Sequence, residues 1–174
     1  MHLIVQIITL LLLVLIAYQD FTSRSFYWLI LPVLFGGFIY LSIHEVTVSE
    51  LVVSSIINIL FVLVQFIGVT VWMSVKNKRW VNILKQYIGV GDWLFFTSIC
   101  FVFSPILFIP FFVISLILSL VFYLLYAKIV NRAVHTVPLA GLFSIITMVI
   151  LIIELCFFPG ITRNESLMNF VNVL

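Results

Sequence analysis

"WLFFTSICFVFSPILFIPFFVISLILSLVFYLLY", residues 93–126, is the stretch that decides the fold. As a single helix its 34 residues would be about 51 Å long, whereas the apolar core of a bilayer is roughly 30 Å thick. Ser104-Pro105 and Pro110 interrupt the run, and proline ends or kinks a helix. The stretch therefore predicts two membrane spans, at about 92–105 and 109–127, joined by a tight turn.

The composition of the whole chain indicates the same class of protein. Of its 174 residues, 65% are hydrophobic and 8% are charged, against about 25% charged in a soluble domain. This indicates a polytopic, all-α membrane bundle whose main partner is the lipid bilayer. A net charge of +2, without a basic run interleaved with aromatic residues, argues against nucleic-acid binding.

The remaining apolar segments predict four further spans within a single domain of residues 1–174. They are separated by short polar loops and lie at about 3–19, 26–43, 51–73 and 137–158. With six spans, seven of the eight basic residues fall in loops on one side, so the positive-inside rule makes that side cytoplasmic and places both termini outside. These seven residues are Arg24, Lys76, Lys78, Arg79, Lys85, Lys128 and Arg132.

Two of the six acidic residues, Asp20 and Asp92, fall on the cytoplasmic side of this topology, at the ends of spans one and four. Asp92 closes the motif Gly-Val-Gly-Asp at 89–92, for which roughly 0.003 chance matches are expected. Gly89 and Gly91 would allow close backbone approach and unusual dihedrals. Two facing carboxylates share a proton, so one can activate water while the other protonates a carbonyl. This is the chemistry of aspartyl proteolysis.

These residues resemble the type IV prepilin peptidase family, a group of GxGD aspartyl proteases. "AYQDFTSR" (17–24) resembles the region of the family's first aspartate, with Arg24 four positions after it, and "GVGD" (89–92) matches its second motif. "TVPLAGLFS" (136–144), with Pro138, resembles the start of the family's last span. The resemblance covers nearly the whole chain.

The resemblance implies an aspartic endopeptidase with Asp20 and Asp92 as catalytic residues and no cofactor or metal. Its substrates would be prepilin-like membrane proteins, which lose a short basic leader at the cytoplasmic face of the inner (cytoplasmic) membrane. Such enzymes serve type IV pili and protein secretion. The sequence lacks the cysteine-tetrad domain of larger members, so it resembles the short, peptidase-only form and no methyltransferase activity is expected.

Two other functions remain open at this stage. One is a catalytically inactive membrane subunit of a pilus or secretion assembly, suggested because Phe26-Tyr27-Trp28 stands where the family often has Ile-Pro-Asn. The other is a small carrier or proton pathway, since two acids within membrane segments would suit one.

Three further groups of residues receive structural interpretations. We expect Asn58 and Gln65, on one face of span three, to form interhelical hydrogen bonds. Cys100 and Cys156 lack the spacing of metal ligands and are interpreted as buried apolar residues. His135 is expected at the level of the lipid headgroups.

Overall fold

The computed structural model describes residues 1–23, 27–78, 89–130, 138–157, 160 and 162–163. Every regular element in this part of the chain is a helix, so the all-α prediction is confirmed there. The helices are α1 (His2–Ser23), α2 (Ile30–Ile43), α3 (Val48–Asn77), α4 (Val90–Ile99), α5 (Pro105–Val130) and α6 (Leu139–Cys156).

Four of these helices are long and apolar enough to cross a membrane: α1, α3, α5 and α6. Their outward faces carry large apolar side chains, such as Val64 and Leu120, which are 64% and 57% exposed. A soluble protein of this size would not leave so much apolar surface in water. The chain is therefore a multi-pass membrane protein.

The helices α2 and α4 are shorter than the roughly 20 residues that a crossing needs. α2 has 14 residues and α4 has 10, which at 1.5 Å per residue makes α4 only about 15 Å long. In the part of the chain described, helix length thus defines four ordinary crossings and two short helices.

The long apolar run is divided in two, as predicted, but the division lies closer to its start. α4 ends at Ile99, and α5 begins at Pro105 instead of near residue 109. Proline is favoured in the first turn of a helix because its missing N–H has no partner to lose there. Pro110 lies inside α5.

The turn between α4 and α5 is buried, and Asn58 of α3 holds it. The Asn58 amide donates hydrogen bonds to the carbonyls of Cys100 (3.0 Å) and Phe103 (2.8 Å). This confirms the expected interhelical role of Asn58, whereas Gln65 lies exposed on the same helix. Cys100 is buried as expected, but the expectation is wrong for Cys156, which is exposed near the end of α6.

α1 packs most extensively against α6 and next against α2. The approach to α2 is close at Gly37, where a Cβ atom would stand 2.6 Å from Thr9 Oγ1. Buried phenylalanines from α4, α5 and α6 fill the centre of the bundle, among them Phe96, Phe112 and Phe143. Ring centroids of Phe96 and Phe143 lie 4.9 Å apart.

The α1–α6 pair is antiparallel, which gives the bundle two distinct ends. We call the end that holds Asp20 and the start of α6 the aspartate end. The opposite end, where Glu45 and Glu154 line one small cavity with the first residues of α1, is the glutamate end.

Candidate active site

Asp20 and Asp92, predicted as a pair from sequence, lie together at the aspartate end. Asp20 is in the last turn of α1 and is 5% exposed, while Asp92 is the third residue of α4 and is half-buried. The two carboxylates are close enough for their charges to repel each other. We call these two residues the aspartate pair.

Asp92 is oriented by the start of its own helix. Gly89 is the N-cap of α4 and has no side chain to accept from the helix N–H groups. The Asp92 carboxylate instead folds back and accepts the Gly89 N–H, as the third residue does in a capping box. The GVGD motif is thus a helix start that holds its own aspartate.

The glycines of this motif do not provide an unusual backbone at Gly89. Its φ of −67° and ψ of 149° are ordinary extended values, so that part of the prediction is wrong. A Cβ on Gly89 would lie 3.7 Å from Asp92 Oδ2, an ordinary van der Waals distance, so no contact with Asp92 requires glycine at this position. Gly91 lies between these two residues in the first turn of α4.

The start of α6 joins the two aspartates. The N–H of Gly141 donates to Asp20 Oδ2 over 2.6 Å, and the N–H of the preceding residue, Ala140, donates to the Asp92 carboxylate. A short bond of this kind is typical of a charged acceptor. Consecutive amides of one helix therefore hold both carboxylates.

Pro138 explains why these amides are available. It is the buried N-cap of α6 and provides no side-chain hydrogen bond to the helix. The first N–H groups of a helix lack partners within the helix, and the helix dipole makes this end favourable for negative charge. The aspartate pair supplies both the acceptors and the charge.

Gly141 also leaves the space that Asp20 occupies. A Cβ atom at this position would lie 3.1 Å from Asp20 Oδ2 and 3.1 Å from the ring of Phe21. Sequence analysis did not single out Gly141 or Ala140, although both lie in the quoted segment after Pro138. The sequence pattern that could have indicated them is a proline, Pro138, followed three residues later by a glycine, Gly141.

The aspartate pair lies within the bundle, short of its end. Phe122 of α5 packs on Phe21, beside Asp20, and α5 continues to Val130, about 12 Å further. Phe66 of α3 packs on Phe96, one turn above Asp92, and α3 continues to Asn77. The exposed lysines Lys76, Lys78 and Lys128 lie at these far ends.

An apolar groove has Leu94, two residues after Asp92, in its lining. It lies between α4 and the region of α2, and has a volume of about 290 Å³. Its lining is almost entirely apolar and consists of Trp28, Leu31, Pro32, Phe35, Leu94, Thr97 and Ser98.

Two of the predicted elements of the site lie outside the described residues: Arg24 and the pair Thr136-Val137 that precedes Pro138. His135, expected at the level of the lipid headgroups, also lies outside them. Among the residues that the structure describes, no group of three or more His, Cys, Asp or Glu is placed to hold a metal ion.

Comparison of the chain with protein-family models, with curated proteins and with solved structures finds no match in any of the three. The function is therefore argued from the geometry of the site.

Proposed function

We propose that the chain is a membrane aspartyl endopeptidase of the prepilin peptidase type, with Asp20 and Asp92 as its catalytic residues. One observation carries the proposal: two aspartates from distant parts of the sequence meet at the first amides of a third helix. Carboxylates that repel each other do not both ionise easily, so we infer that the pair holds one proton between them.

The proposed chemistry needs only this shared proton and a water molecule. The ionised aspartate takes a proton from the water, which attacks the scissile carbonyl, while the protonated aspartate donates its proton to the carbonyl oxygen. The first aspartate then gives its proton to the amide nitrogen as the C–N bond breaks, and a hydroxyl proton of the intermediate returns to the second aspartate. The α6 amides favour the state in which the pair carries one negative charge. Half-exposed Asp92 is the member that water reaches more readily.

We infer the substrate class from the surroundings of the pair. The groove between α2 and α4 is apolar and its lining includes Leu94, two residues after Asp92, so it suits the first turns of a substrate's membrane helix. A scissile bond at the aspartate pair would then lie just before that helix. This is the position at which prepilin-like proteins lose their leader.

We propose six crossings with both termini outside, α2 and α4 being the short members. Lys76, Lys78 and Lys128 are exposed at the aspartate end, which suits the cytoplasmic face of the inner membrane. The basic residue at the other end, Arg163, is buried and hydrogen-bonded. The aspartate pair would lie about 10 Å below the lysines, within the inner leaflet.

The test is co-expression with candidate prepilins from the same genome, with leader loss measured by mass. We expect Asp20→Asn and Asp92→Asn, made singly, to reduce cleavage by about 10²–10⁴-fold, since each removes one acid–base partner. Both proteins should still accumulate in membranes, because an asparagine oxygen can accept the same amide hydrogen bonds.

Glu50→Gln is the matched control, since it makes the same carboxylate-to-amide change at the opposite end and should cleave normally. Glutamine also serves in the capping box that Glu50 forms with Thr47. Normal leader removal by either asparagine variant would refute the proposal. A wild-type protein that binds prepilin but never shortens it would instead identify an inactive assembly subunit.

A further inference from the structure

A second pair of carboxyl groups lies at the glutamate end. Glu45, in the loop between α2 and α3, forms a side-chain hydrogen bond with Glu154, near the end of α6. Two carboxyl groups can hydrogen-bond to each other only if one of them carries a proton. We call these residues the glutamate pair; both line the same small cavity.

The surroundings of the pair tie several chain segments together. Thr162 donates its hydroxyl (2.8 Å) and its N–H (3.4 Å) to Glu154 Oε1. The carbonyl of Thr162 accepts the N–H of Ser104 at the start of α5 (2.9 Å). Glu154 thus connects α6 to residue 162 and, through it, to the α4–α5 turn.

Arg163 adds a buried positive charge to this cluster. It is 6% exposed and donates to Ser42 Oγ over 2.8 Å and to the carbonyl of Phe101. Its charge interacts favourably with both glutamates. With one shared proton the two glutamates and the arginine are neutral together, the state that a low-dielectric environment favours.

Glu45 gives the shared proton a route to water. Glu45 is exposed as a residue, although its carboxyl group is partly buried beside Glu154, whereas the whole of Glu154 is 6% exposed. The pair also lines a cavity of about 20 Å³, room for roughly one water molecule, together with Gln6 and Ser42. The proton can therefore exchange with the aqueous phase at this end.

We propose that the glutamate pair is a proton-binding site that acts as a pH-dependent clasp. With the proton bound, the clasp holds the α2–α3 loop against α6. Without it, two carboxylates face each other beside a single arginine, and the loop separates from α6. The inference is independent of the function proposed for the aspartate pair.

The charges facing the pair set the pH at which it opens. Burial, with the neighbouring charge of Glu154, raises the pKa of Glu45 from 4.5 to about 7, although Arg163 opposes this. The clasp is closed at acid pH and opens as the pH rises through about 7. Among the described residues, the other ionisable groups on the elements around it are His2, Tyr40, His44, Glu50, Cys156 and the amino group of Met1.

Linkage gives the sign of the stability effect. Because the folded state holds the Glu45 proton to a higher pH than the unfolded state, folding stability should fall as pH rises from about 4.5 to 7. The loop itself should exchange its amide hydrogens faster above that range, after correction for the intrinsic effect of pH.

The experiment compares wild type, Glu45→Gln and Glu50→Gln in detergent between pH 5 and 8. It measures the melting temperature and hydrogen exchange of residues 44–47. As the pH rises, the melting temperatures of wild type and Glu50→Gln should fall by several degrees, and the amide hydrogens of their loops should exchange faster. Glu45→Gln should show neither change, because its amide donates to Glu154 at every pH.

Asp20→Asn is also added to each of the three proteins, because titration of the aspartate pair could change the melting temperature over the same pH range. This second substitution should leave the pH dependence of hydrogen exchange in the loop unchanged. If Glu45→Gln does not fold, Glu154→Gln must give the same flat loop profile. The inference is overturned if the loop in either glutamine variant keeps the wild-type dependence on pH, or if Glu50→Gln also loses it.

Discussion

The backbone N–H of Gly141 donates to Asp20 Oδ2 over 2.6 Å, so the start of α6 fixes a carboxylate that belongs to α1. The neighbouring amide of Ala140 does the same for Asp92 of α4. Three helices thus converge on one pair of acids, and their positions can be tested separately from their chemistry.

Gly141→Ala should impair the geometry of the pair while both acids remain. Its Cβ would stand 3.1 Å from Asp20 Oδ2 and from the Phe21 ring, so the carboxylate must shift by a few tenths of an ångström. We expect kcat for leader removal to fall roughly tenfold, with little change in KM, because misplaced catalytic groups lose rate steeply. Steady-state cleavage of a purified prepilin measures both.

The control for this change is Gly36→Ala, a glycine in α2 with no atom within 4 Å of the added Cβ. It should cleave at the wild-type rate. Equal losses from the two alanines would show that the contact with Asp20 is unimportant.

Leu94→Trp should obstruct the apolar groove between α2 and α4. Leu94 is 40% exposed and lines that groove two residues after Asp92. A larger ring there should raise KM for a prepilin by about tenfold and leave kcat nearly unchanged, as loss of uniform binding does.

Leu116→Trp on α5 is matched to this variant, since Leu116 is 39% exposed and lies outside the groove. Its KM should equal that of the wild type. If the Leu94 variant also retains the wild-type KM, the substrate helix does not lie in this groove.

Asn58→Leu should destabilise the turn between α4 and α5. The substitution removes the amide that donates to the Cys100 and Phe103 carbonyls and leaves these buried carbonyls without that partner. The free energy of unfolding should therefore fall by about 1–3 kcal/mol. Thermal unfolding in detergent measures the loss. Gln65→Leu changes another amide on the same helix, at an exposed position, and should have little effect; a similar loss there would contradict the role given to Asn58.

Gly37→Ala should disturb the packing of α1 on α2, because the new Cβ would lie 2.6 Å from Thr9 Oγ1. We expect the free energy of unfolding to fall by about 1–3 kcal/mol. Removing that hydroxyl in the double variant with Thr9→Ala should restore much of the stability. A double variant no more stable than the single one would place the strain elsewhere. Gly36→Ala again provides the control, measured by the same thermal unfolding.

Sequence patterns were sufficient to predict that the protein is all-helical and that Asp20 and Asp92 lie close together. Apolar runs follow directly from the cost of placing polar backbone in lipid, and the parity of the spans brought the two aspartates to one end. The helix boundaries were less accurate around the α4–α5 turn. There Asn58, from another helix, satisfies carbonyls that no local pattern reports.

The partners of the acids could not be predicted in the same way. The donors to Asp20 and Asp92 are backbone amides, which every residue has, so no residue type marks them. Glu45 and Glu154 are far apart in sequence, and their hydrogen bond depends on how the α2–α3 loop meets the end of α6. Such contacts are set by packing over long separations in sequence.

Helix α6 takes part in both acid pairs: Gly141, near its first residue, binds Asp20, and Glu154, near its last residue, belongs to the glutamate pair. The two positions are roughly 20 Å apart along the axis. Inserting one residue between them would rotate one end by about 100° relative to the other, so it could keep its contacts at only one end. The length of this segment is therefore as constrained as the identity of its residues.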